Sequence, residues 1–212
     1  MRDVVLRGHV TVDGKPAAKP GQTVSGDAEV AIDNPVSRAA LKLVAGFDAS
    51  SFDVTDCHCL DIGASTGGFT QMLLERGAAS VDAIDVGHGQ LYASLVDHPR
   101  IRSLEGINAR ALANEHLRAE PEIVMSDVSF ISLRFALPPA LALAAPGVFL
   151  VKPQFKAGEG GLVDPSVAEE VAEGIRVWLS GHTGWQLHGM TTSPIKGSDG
   201  NAEYLLGVVK DG

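Results

Sequence analysis

The chain has 212 residues, of which 45% are hydrophobic and 20% are charged. This length and composition predict one main globular domain with an ordinary buried core and a small appendage. The sequence contains no apolar run of the roughly 20 residues that span a bilayer, and no signal-peptide pattern opens it, which argues against a membrane protein. Its two cysteines fit the reducing cytoplasm, where we expect the protein to be.

The net charge of −9 argues against a nucleic-acid partner. The charges are unevenly distributed, however. Residues 1–42 carry six basic and five acidic groups, and the remaining 170 residues carry 11 and 21, which gives +1 and −10. An RNA partner would therefore have to be bound by a local patch near the N-terminus.

The first 33 residues form a β-rich fragment in this interpretation, and residues 34–212 form the main domain. Asp13-Gly14 and Pro20-Gly21 are turn dipeptides. Strand-forming residues lie between them and on either side, namely Val10, Val12, Val24, Val30 and Ile32. The fragment is too small to be stable alone. A helix is predicted after it, from Ser37 to about Gly46, with Leu41 and Val44 buried.

From residue 57 onwards, strands alternate with helices. The strand candidates are 57–62, 80–85, 101–104, 122–127, 147–152, 185–190 and 203–209. The helix candidates are 67–76, 109–117, 132–144 and 165–180, the last with Asp164 as its cap and Val167, Val171, Ile175 and Trp178 on one face. Such alternation predicts an α/β fold with a seven-stranded, mostly parallel sheet covered on both faces. The last two strands are predicted to form an antiparallel hairpin.

The stretch "CHC" at residues 57–59 contains both cysteines. A structural zinc site normally has four ligands, and two thiols two residues apart on a strand share one face. We interpret Cys57 and Cys59 as buried strand residues, and we predict no metal site.

The stretch "LDIGASTGGFT" (60–70) is a glycine-rich loop between a strand and a helix, which is typical of a nucleotide-binding site. It lacks the lysine of a phosphate-binding P-loop, because Phe69 follows Gly68. The spacing of Gly63, Gly67 and Gly68 also differs from the dinucleotide fingerprint G-x-G-x-x-G. The loop is therefore expected to pass close to a bulky ligand that carries little negative charge.

Polar residues stand where successive strands end, and in doubly wound sheets the ligand lies at those ends. They are Asp61, Asp85, Asn108, Asp127 and Lys152. Asp85 could accept hydrogen bonds from two ribose hydroxyls, and Asn108 could recognise an adenine edge. Lys152 follows the apolar run "VFLV", so its neutral form should be favoured and it could act as a general base oriented by Asp127. Taken singly, each aspartate could equally cap a loop.

Lys42 lies on the first predicted helix and Glu203 opens the last predicted strand. Taken singly, each is more typical of a surface charge than of a catalyst.

The blocks "DIGASTGGFT", "DVGHGQL", "EGINAR", "SDVSFISL", "LVKPQF" and "SPIKGSDGNAEYL" resemble, in order, the signature blocks of the TlyA (haemolysin A) family. Members of this family are S-adenosylmethionine-dependent ribosomal RNA 2′-O-methyltransferases with a Rossmann-like, FtsJ-type catalytic domain. The resemblance implies a catalytic tetrad of Lys42, Asp127, Lys152 and Glu203. It implies that S-adenosylmethionine is bound by Asp61, Gly63, Ala64, Ser65, Gly67, Gly68, Phe69, Asp85, Asn108 and Asp127. It also implies ribosomal RNA or ribosomal subunits as the partner.

The sequence departs from the family pattern in two places. Family members usually begin with a complete RNA-binding domain like that of the fourth small-subunit ribosomal protein, and residues 1–32 resemble only its second half. We therefore expect residues 1–33 to be a truncated RNA-binding domain. Lys156 in "KPQFKAG" replaces an acidic residue, which should change the substrate-side loop.

Two other functions are consistent with parts of the sequence. The first is a non-catalytic RNA-binding or ribosome-assembly factor that keeps the methyltransferase fold; such a factor would be expected to lose the tetrad, whereas all four residues are present. The second is membrane lysis, which the family's older name suggests. No long apolar or basic amphipathic segment supports it.

Overall fold

The computed structural model describes residues 37–129, 132–143, 146–157, 161–181 and 184–210, together with 10–13, 15–17, 19, 21–26, 28 and 30–32. The chain divides into two compact units, Met1–Pro35 and Val36–Gly212. The interpretation of the first unit as part of an RNA-binding domain stays a prediction.

In the first unit, the described residues form three short antiparallel strands. These are β1 (Val10–Val12), β2 (Lys15–Pro16) and β3 (Val30–Ile32), in the order β2-β1-β3. Val24 was expected to be a strand residue, but it lies exposed in an irregular segment.

The second unit contains a seven-stranded sheet in the described residues. Its strands are β4 (His58–Ile62), β5 (Ser80–Asp85), β6 (Ile101–Glu105), β7 (Ile123–Ser126), β8 (Gly147–Val151), β9 (Trp185–Thr192) and β10 (Tyr204–Lys210). The strand order is β6-β5-β4-β7-β8-β10-β9. Neighbouring strands from β6 to β8 are parallel, and β10 is antiparallel to both β8 and β9. The predicted sheet with its closing hairpin is thus confirmed.

The helices of this unit lie on both faces of the sheet. They are α1 (Ala39–Ser50), α2 (Gly68–Glu75), α3 (Ala93–Val96), α4 (Leu133–Ala136), α5 (Pro138–Leu143), α6 (Gln154–Ala157) and α7 (Pro165–Ser180). One core cluster packs α4, α5 and α7 against residues such as Leu60 and Ile62, and the other packs α1 and α2 against residues such as Cys59. Among the described residues, every helix is too short or too polar to cross a bilayer.

Two predicted helices differ from the structure. The segment 109–117 forms two separate 3₁₀ turns, Ala109–Ala111 and Asn114–His116. Its buried residues, Leu112 and Leu117, are five positions apart, a spacing that does not place them on one face of an α-helix. The segment 132–144 is divided into α4 and α5 at Pro138, because proline has no N–H to continue the hydrogen bonding of α4.

The other helices also show local differences. Helix α7 has the predicted bounds, and its Asp164 cap accepts a hydrogen bond from the Ser166 N–H at 2.9 Å, but Val167 is exposed. Helix α1 begins and ends later than predicted and buries Leu43 and Phe47, whereas Leu41 and Val44 are half-buried. Helices α3 and α6 were not predicted, because four residues are too few to show helical periodicity.

Candidate active site

The glycine-rich loop follows β4 and turns sharply at the carboxyl edge of the sheet. Gly63 (φ +82°) and Gly67 (φ +97°) adopt the left-handed conformation that favours glycine. The N–H groups of Gly63 and Ala64 donate to the Ile84 carbonyl at 2.9 and 3.0 Å. A Cβ on Gly63 would lie 2.9 Å from the Asp127 carbonyl oxygen, so only glycine lets the loop pass this close to the end of β7.

A cavity of about 410 Å³ opens between this loop and the ends of β5 and β7. We call it the loop cavity. Its walls are partly apolar, and its polar lining includes Ser65, Asp85, Asn108 and Asp127 together with Gly63. Among the described residues that line it there are two carboxylates and no lysine, arginine or histidine. Such a lining favours an uncharged or positively charged ligand over a polyphosphate.

Asp85 is held by backbone groups on both sides of the loop cavity. Its Oδ2 accepts from the Ser65 N–H at 2.9 Å, and its Oδ1 accepts from the Gly87 N–H at 2.7 Å. A carboxylate has about four acceptor positions, so further hydrogen bonds from a ligand's hydroxyls can be accepted. Asn108 uses its Oδ1 to accept from the Arg110 N–H at 3.0 Å, which leaves its NH₂ group as a donor.

Asp61 does not line the loop cavity, although the sequence resemblance assigned it to cofactor binding. It is fully buried, and its Oδ2 accepts a hydrogen bond from Thr70 Oγ1 at 2.6 Å, which joins β4 to α2. Burial raises the pKa of this carboxyl from 3.8 to about 7. Its Oδ1 has no hydrogen-bond partner among the described residues.

A smaller cleft of about 110 Å³ adjoins the glycine loop. Other residues that the resemblance assigned to the cofactor line it, namely Ala64, Gly68 and Phe69, and so does Lys152. Gly67 lines neither space, and a Cβ there would lie 2.4 Å from Leu95 Cδ1.

The four proposed catalytic residues meet in another cleft, of about 200 Å³, which we call the lysine cleft. They form two ion pairs. Lys42 Nζ lies 2.5 Å from Glu203 Oε2, and Lys152 Nζ lies 2.5 Å from Asp127 Oδ1. Lys42 and Glu203 are both buried, so the interpretation of them as surface charges is wrong.

Two residues in the lysine cleft were missed by the sequence analysis. Ser129 Oγ accepts a hydrogen bond from Lys152 Nζ at 2.7 Å, and Gln154 is buried beside it. Ser129 and Gln154 each follow a strand-end residue, Asp127 or Lys152, by two positions, and this spacing is the sequence signal that could have identified them. Asp127 and Ser129 line both the loop cavity and the lysine cleft, so ligands in the two spaces would meet at these residues.

The cysteines lie away from this site. Cys59 is buried in β4, and burial raises the pKa of its thiol. Cys57 precedes the strand and is only half-buried, so the prediction of two buried strand residues is correct for Cys59 alone.

Comparisons with known proteins identify the family to which the chain belongs. The FtsJ-like methyltransferase family model matches residues 35–210. The 16S/23S rRNA (cytidine-2′-O)-methyltransferase TlyA of Mycobacterium tuberculosis is 41% identical over 96% of this chain and 81% of its own length. Hemolysin A of Brachyspira hyodysenteriae is 38% identical over 96% of this chain and 90% of its own length.

The fold is also similar to a known crystal structure. A Lactococcus lactis protein assigned as a hemolysin superposes with a TM-score of 0.79 at 37% identity, covering 84% of this chain and 89% of that chain. These similarities confirm the resemblance seen in the signature blocks. The chain belongs to the FtsJ-like methyltransferase family and, within it, to the TlyA (haemolysin A) proteins.

Proposed function

We propose that this protein transfers a methyl group from S-adenosylmethionine to a ribose 2′-hydroxyl of ribosomal RNA. The observation that carries this proposal is the junction of two spaces at Asp127 and Ser129. One is a cavity without cations beside a glycine loop, and the other is a cleft with two lysine–carboxylate pairs. The relative from Mycobacterium tuberculosis is named as an enzyme of the same kind, an rRNA (cytidine-2′-O)-methyltransferase.

The residues of the loop cavity fit S-adenosylmethionine. Its volume of about 410 Å³ has room for a large ligand, and a described wall with two carboxylates and no cation favours one without phosphates. Asp85 would accept hydrogen bonds from the ribose hydroxyls, and the Asn108 amide would donate to the adenine edge. Gly63 and Ser65 would lie along the methionine part. When bound, S-adenosylmethionine supplies a methyl group that its sulfonium makes electrophilic.

Lys152 would act on the hydroxyl that receives the methyl group. Asp127 and Ser129 hold its Nζ from two sides, which fixes the direction in which it meets a substrate. Lys152 would orient the 2′-hydroxyl oxygen and act as the general base that takes its proton. Alignment of this oxygen with the methyl group supplies much of the rate acceleration. Lys42 and Glu203 would position the ribose from the opposite wall.

A methyl-transfer assay tests this proposal. Labelled S-adenosylmethionine is incubated with 16S and 23S ribosomal RNA transcripts and the purified protein. Lys152→Ala should reduce the single-turnover rate by about 10²–10⁴, the usual contribution of a general base. Its affinity for S-adenosylhomocysteine, measured by calorimetry, should stay unchanged.

The matched control is Lys210→Ala, because Lys210 ends β10 at the opposite edge of the sheet from the site. A Lys152→Ala variant that methylates RNA at the wild-type rate would contradict the assigned role. Wild-type protein that binds RNA and S-adenosylhomocysteine but transfers no methyl group would favour the non-catalytic RNA-binding factor instead.

A further inference from the structure

Among the described residues that line the lysine cleft, one positive charge has no acidic partner. The charged lining residues are Arg38, Lys42, Asp127, Lys152 and Glu203. Both lysines lie 2.5 Å from a carboxylate, so their charges cancel in pairs. In the described part of the chain, no hydrogen-bond or ion-pair partner contacts the Arg38 side chain, which is exposed. The cleft therefore suits an occupant with a single negative charge.

Arg38 lines the same cleft as the four proposed catalytic residues. Arg38 immediately precedes α1 and lies four residues before Lys42, about one helical turn away. The start of α1 contacts the glycine loop, because a Cβ on Gly68 would lie 2.8 Å from Ser37 Cβ and 3.0 Å from Ala39 Cβ. Ser37 and Ala39, on either side of Arg38, line both the lysine cleft and the smaller cleft beside the glycine loop, so the backbone at Arg38 is held between these two clefts.

A second observation indicates that the occupant also donates hydrogen bonds. Gln154 lines the lysine cleft and is only 3% exposed. Its Oε1 has no hydrogen-bond partner among the described residues. Buried polar groups in proteins are nearly always hydrogen-bonded, so this amide is expected to gain a partner when the cleft is filled. A nucleotide unit within RNA provides both features, since it has one phosphodiester charge and donor groups on its sugar and base.

We propose that Arg38 binds the 3′-phosphodiester group of the nucleotide that is methylated. This inference rests on the proposed function and adds a subsite to it. The 3′-phosphodiester is attached to the ribose carbon next to the one that carries the 2′-hydroxyl, so the two groups can be bound together. Lys152 would act on the hydroxyl while the guanidinium pairs with the phosphate oxygens in its planar, bidentate geometry.

The first test compares Arg38→Ala, Arg38→Lys and Lys210→Ala in the full chain, with an RNA fragment that contains the nucleotide methylated by the wild-type protein. Arg38→Ala should raise the KM for RNA about 10- to 100-fold and should reduce the slope of log affinity against log salt by about 0.7–0.9. Arg38→Lys should recover part of this loss. Affinity for S-adenosylhomocysteine should stay constant in all three variants.

The second test replaces the 3′-phosphodiester of the target nucleotide with an uncharged methylphosphonate. The wild-type protein should lose about as much affinity for this modified RNA as Arg38→Ala loses for the unmodified RNA. Arg38→Ala with the modified RNA should show no greater loss than either change alone. Additive losses, or equal effects of Arg38→Ala and Lys210→Ala, would overturn the proposal. If the wild-type protein transfers no methyl group, the proposed function fails and this subsite fails with it, whereas the salt slopes with ribosomal RNA transcripts still show whether Arg38 contacts an RNA phosphate.

Discussion

Lys42 and Glu203 form an ion pair that is largely withdrawn from water, with side chains 11% and 1% exposed. Removing one member of a buried pair leaves an uncompensated charge, whereas replacing both members by apolar residues is often tolerated. Substitutions can therefore separate the contribution of the pair to stability from its contribution to methyl transfer.

We expect Glu203→Ala to lower the free energy of unfolding by about 3–5 kcal/mol, because it leaves the Lys42 ammonium unpaired. The double variant with Lys42→Met and Glu203→Leu should regain most of this stability. It should still fail to methylate RNA, since the polar groups that we propose position the ribose are lost. Urea denaturation and a single-turnover assay measure the two effects, and recovery of activity along with stability would show that the pair has only a structural role.

Ser129 is the other residue that holds Lys152. Ser129→Ala removes the hydrogen bond of 2.7 Å from Lys152 Nζ. Hydrogen bonds to charged groups contribute about 1.5–3 kcal/mol, so the rate of methyl transfer should fall roughly 10- to 100-fold with cofactor affinity unchanged. Ser103→Ala is the matched control, because Ser103 is exposed on the edge strand β6 and does not line the lysine cleft or the small cavity that Lys152 also lines. Equal rates for the two variants would exclude the role of Ser129.

Asp61 should make stability depend on pH. Burial raises its pKa from 3.8 to about 7, so the folded protein holds this proton more tightly than the unfolded chain does. The resulting stability is complete below about pH 4 and is lost as the pH rises through about 7. Between pH 5 and pH 8, the free energy of unfolding should fall by about 2–3 kcal/mol more in the wild type than in Asp61→Asn.

Urea midpoints at these two pH values measure the contribution of Asp61. Asp97→Asn, which changes an exposed carboxyl, should follow the wild type. A parallel pH dependence of the wild type and Asp61→Asn would contradict the assignment.

Helix α1, which carries Lys42, packs directly on the closing hairpin at positions that have no side chain. A Cβ on Gly189 of β9 would lie 2.2 Å from the Ala49 carbonyl oxygen, and one on Gly207 of β10 would lie 2.4 Å from Ser50 Cβ. These glycines let the helix backbone approach the sheet, and the approach determines where Lys42 meets Glu203.

We therefore expect Gly189→Ala to displace α1. Overpacking of this kind typically costs about 1–3 kcal/mol, and the displaced helix should also slow methyl transfer. Gly181→Ala is the control, because a Cβ there would be no closer than 3.4 Å to its neighbours. Unfolding curves and transfer rates of the two variants give the comparison, and an unchanged Gly189→Ala protein would show that the helix position is adjustable.

The elements that the sequence predicts well are those with strong local patterns. Helix α7 has a regular apolar spacing, and β4 and β8 are largely apolar runs between turn signals, so their bounds agree with the prediction to within one residue. The segment 109–117 lacks such a pattern. Its caps at Asn108 and His116 are local hydrogen bonds that favour 3₁₀ turns over an α-helix.

The residues of the candidate site also differ in how well the sequence predicts that they lie together. Asp85, Asp127 and Lys152 were expected at one edge because parallel strands end there. Lys42 and Glu203 are 161 positions apart, and no local pattern in the sequence joins them. Only the family resemblance suggested that they act together. The contact between Ser129 and Lys152 depends on side-chain geometry that no spacing encodes.

The charge of the whole molecule should determine how tightly it binds RNA and how strongly this binding depends on salt. Residues 43–212 carry a net charge of −10, whereas phosphate contacts supply most of the affinity of proteins for nucleic acids. We expect RNA binding by this chain to be weak and strongly dependent on salt, with S-adenosylhomocysteine binding unaffected. Filter binding at two salt concentrations, with calorimetry beside it, measures both. Tight binding at both concentrations would mean that the surface around the site recognises RNA without help from charge.

The interior position of β10 in the sheet determines how late in synthesis the Lys42–Glu203 pair can form. β10 lies between β8 and β9, although the ribosome synthesises it after both. Until residues 203–210 leave the exit tunnel, β8 has no neighbour on that side and Lys42 has no counterion. A nascent chain therefore contains the glycine loop and the residues of β4 to β8 before it contains Glu203, and translation that stops before residue 203 yields a protein that cannot form the Lys42–Glu203 pair.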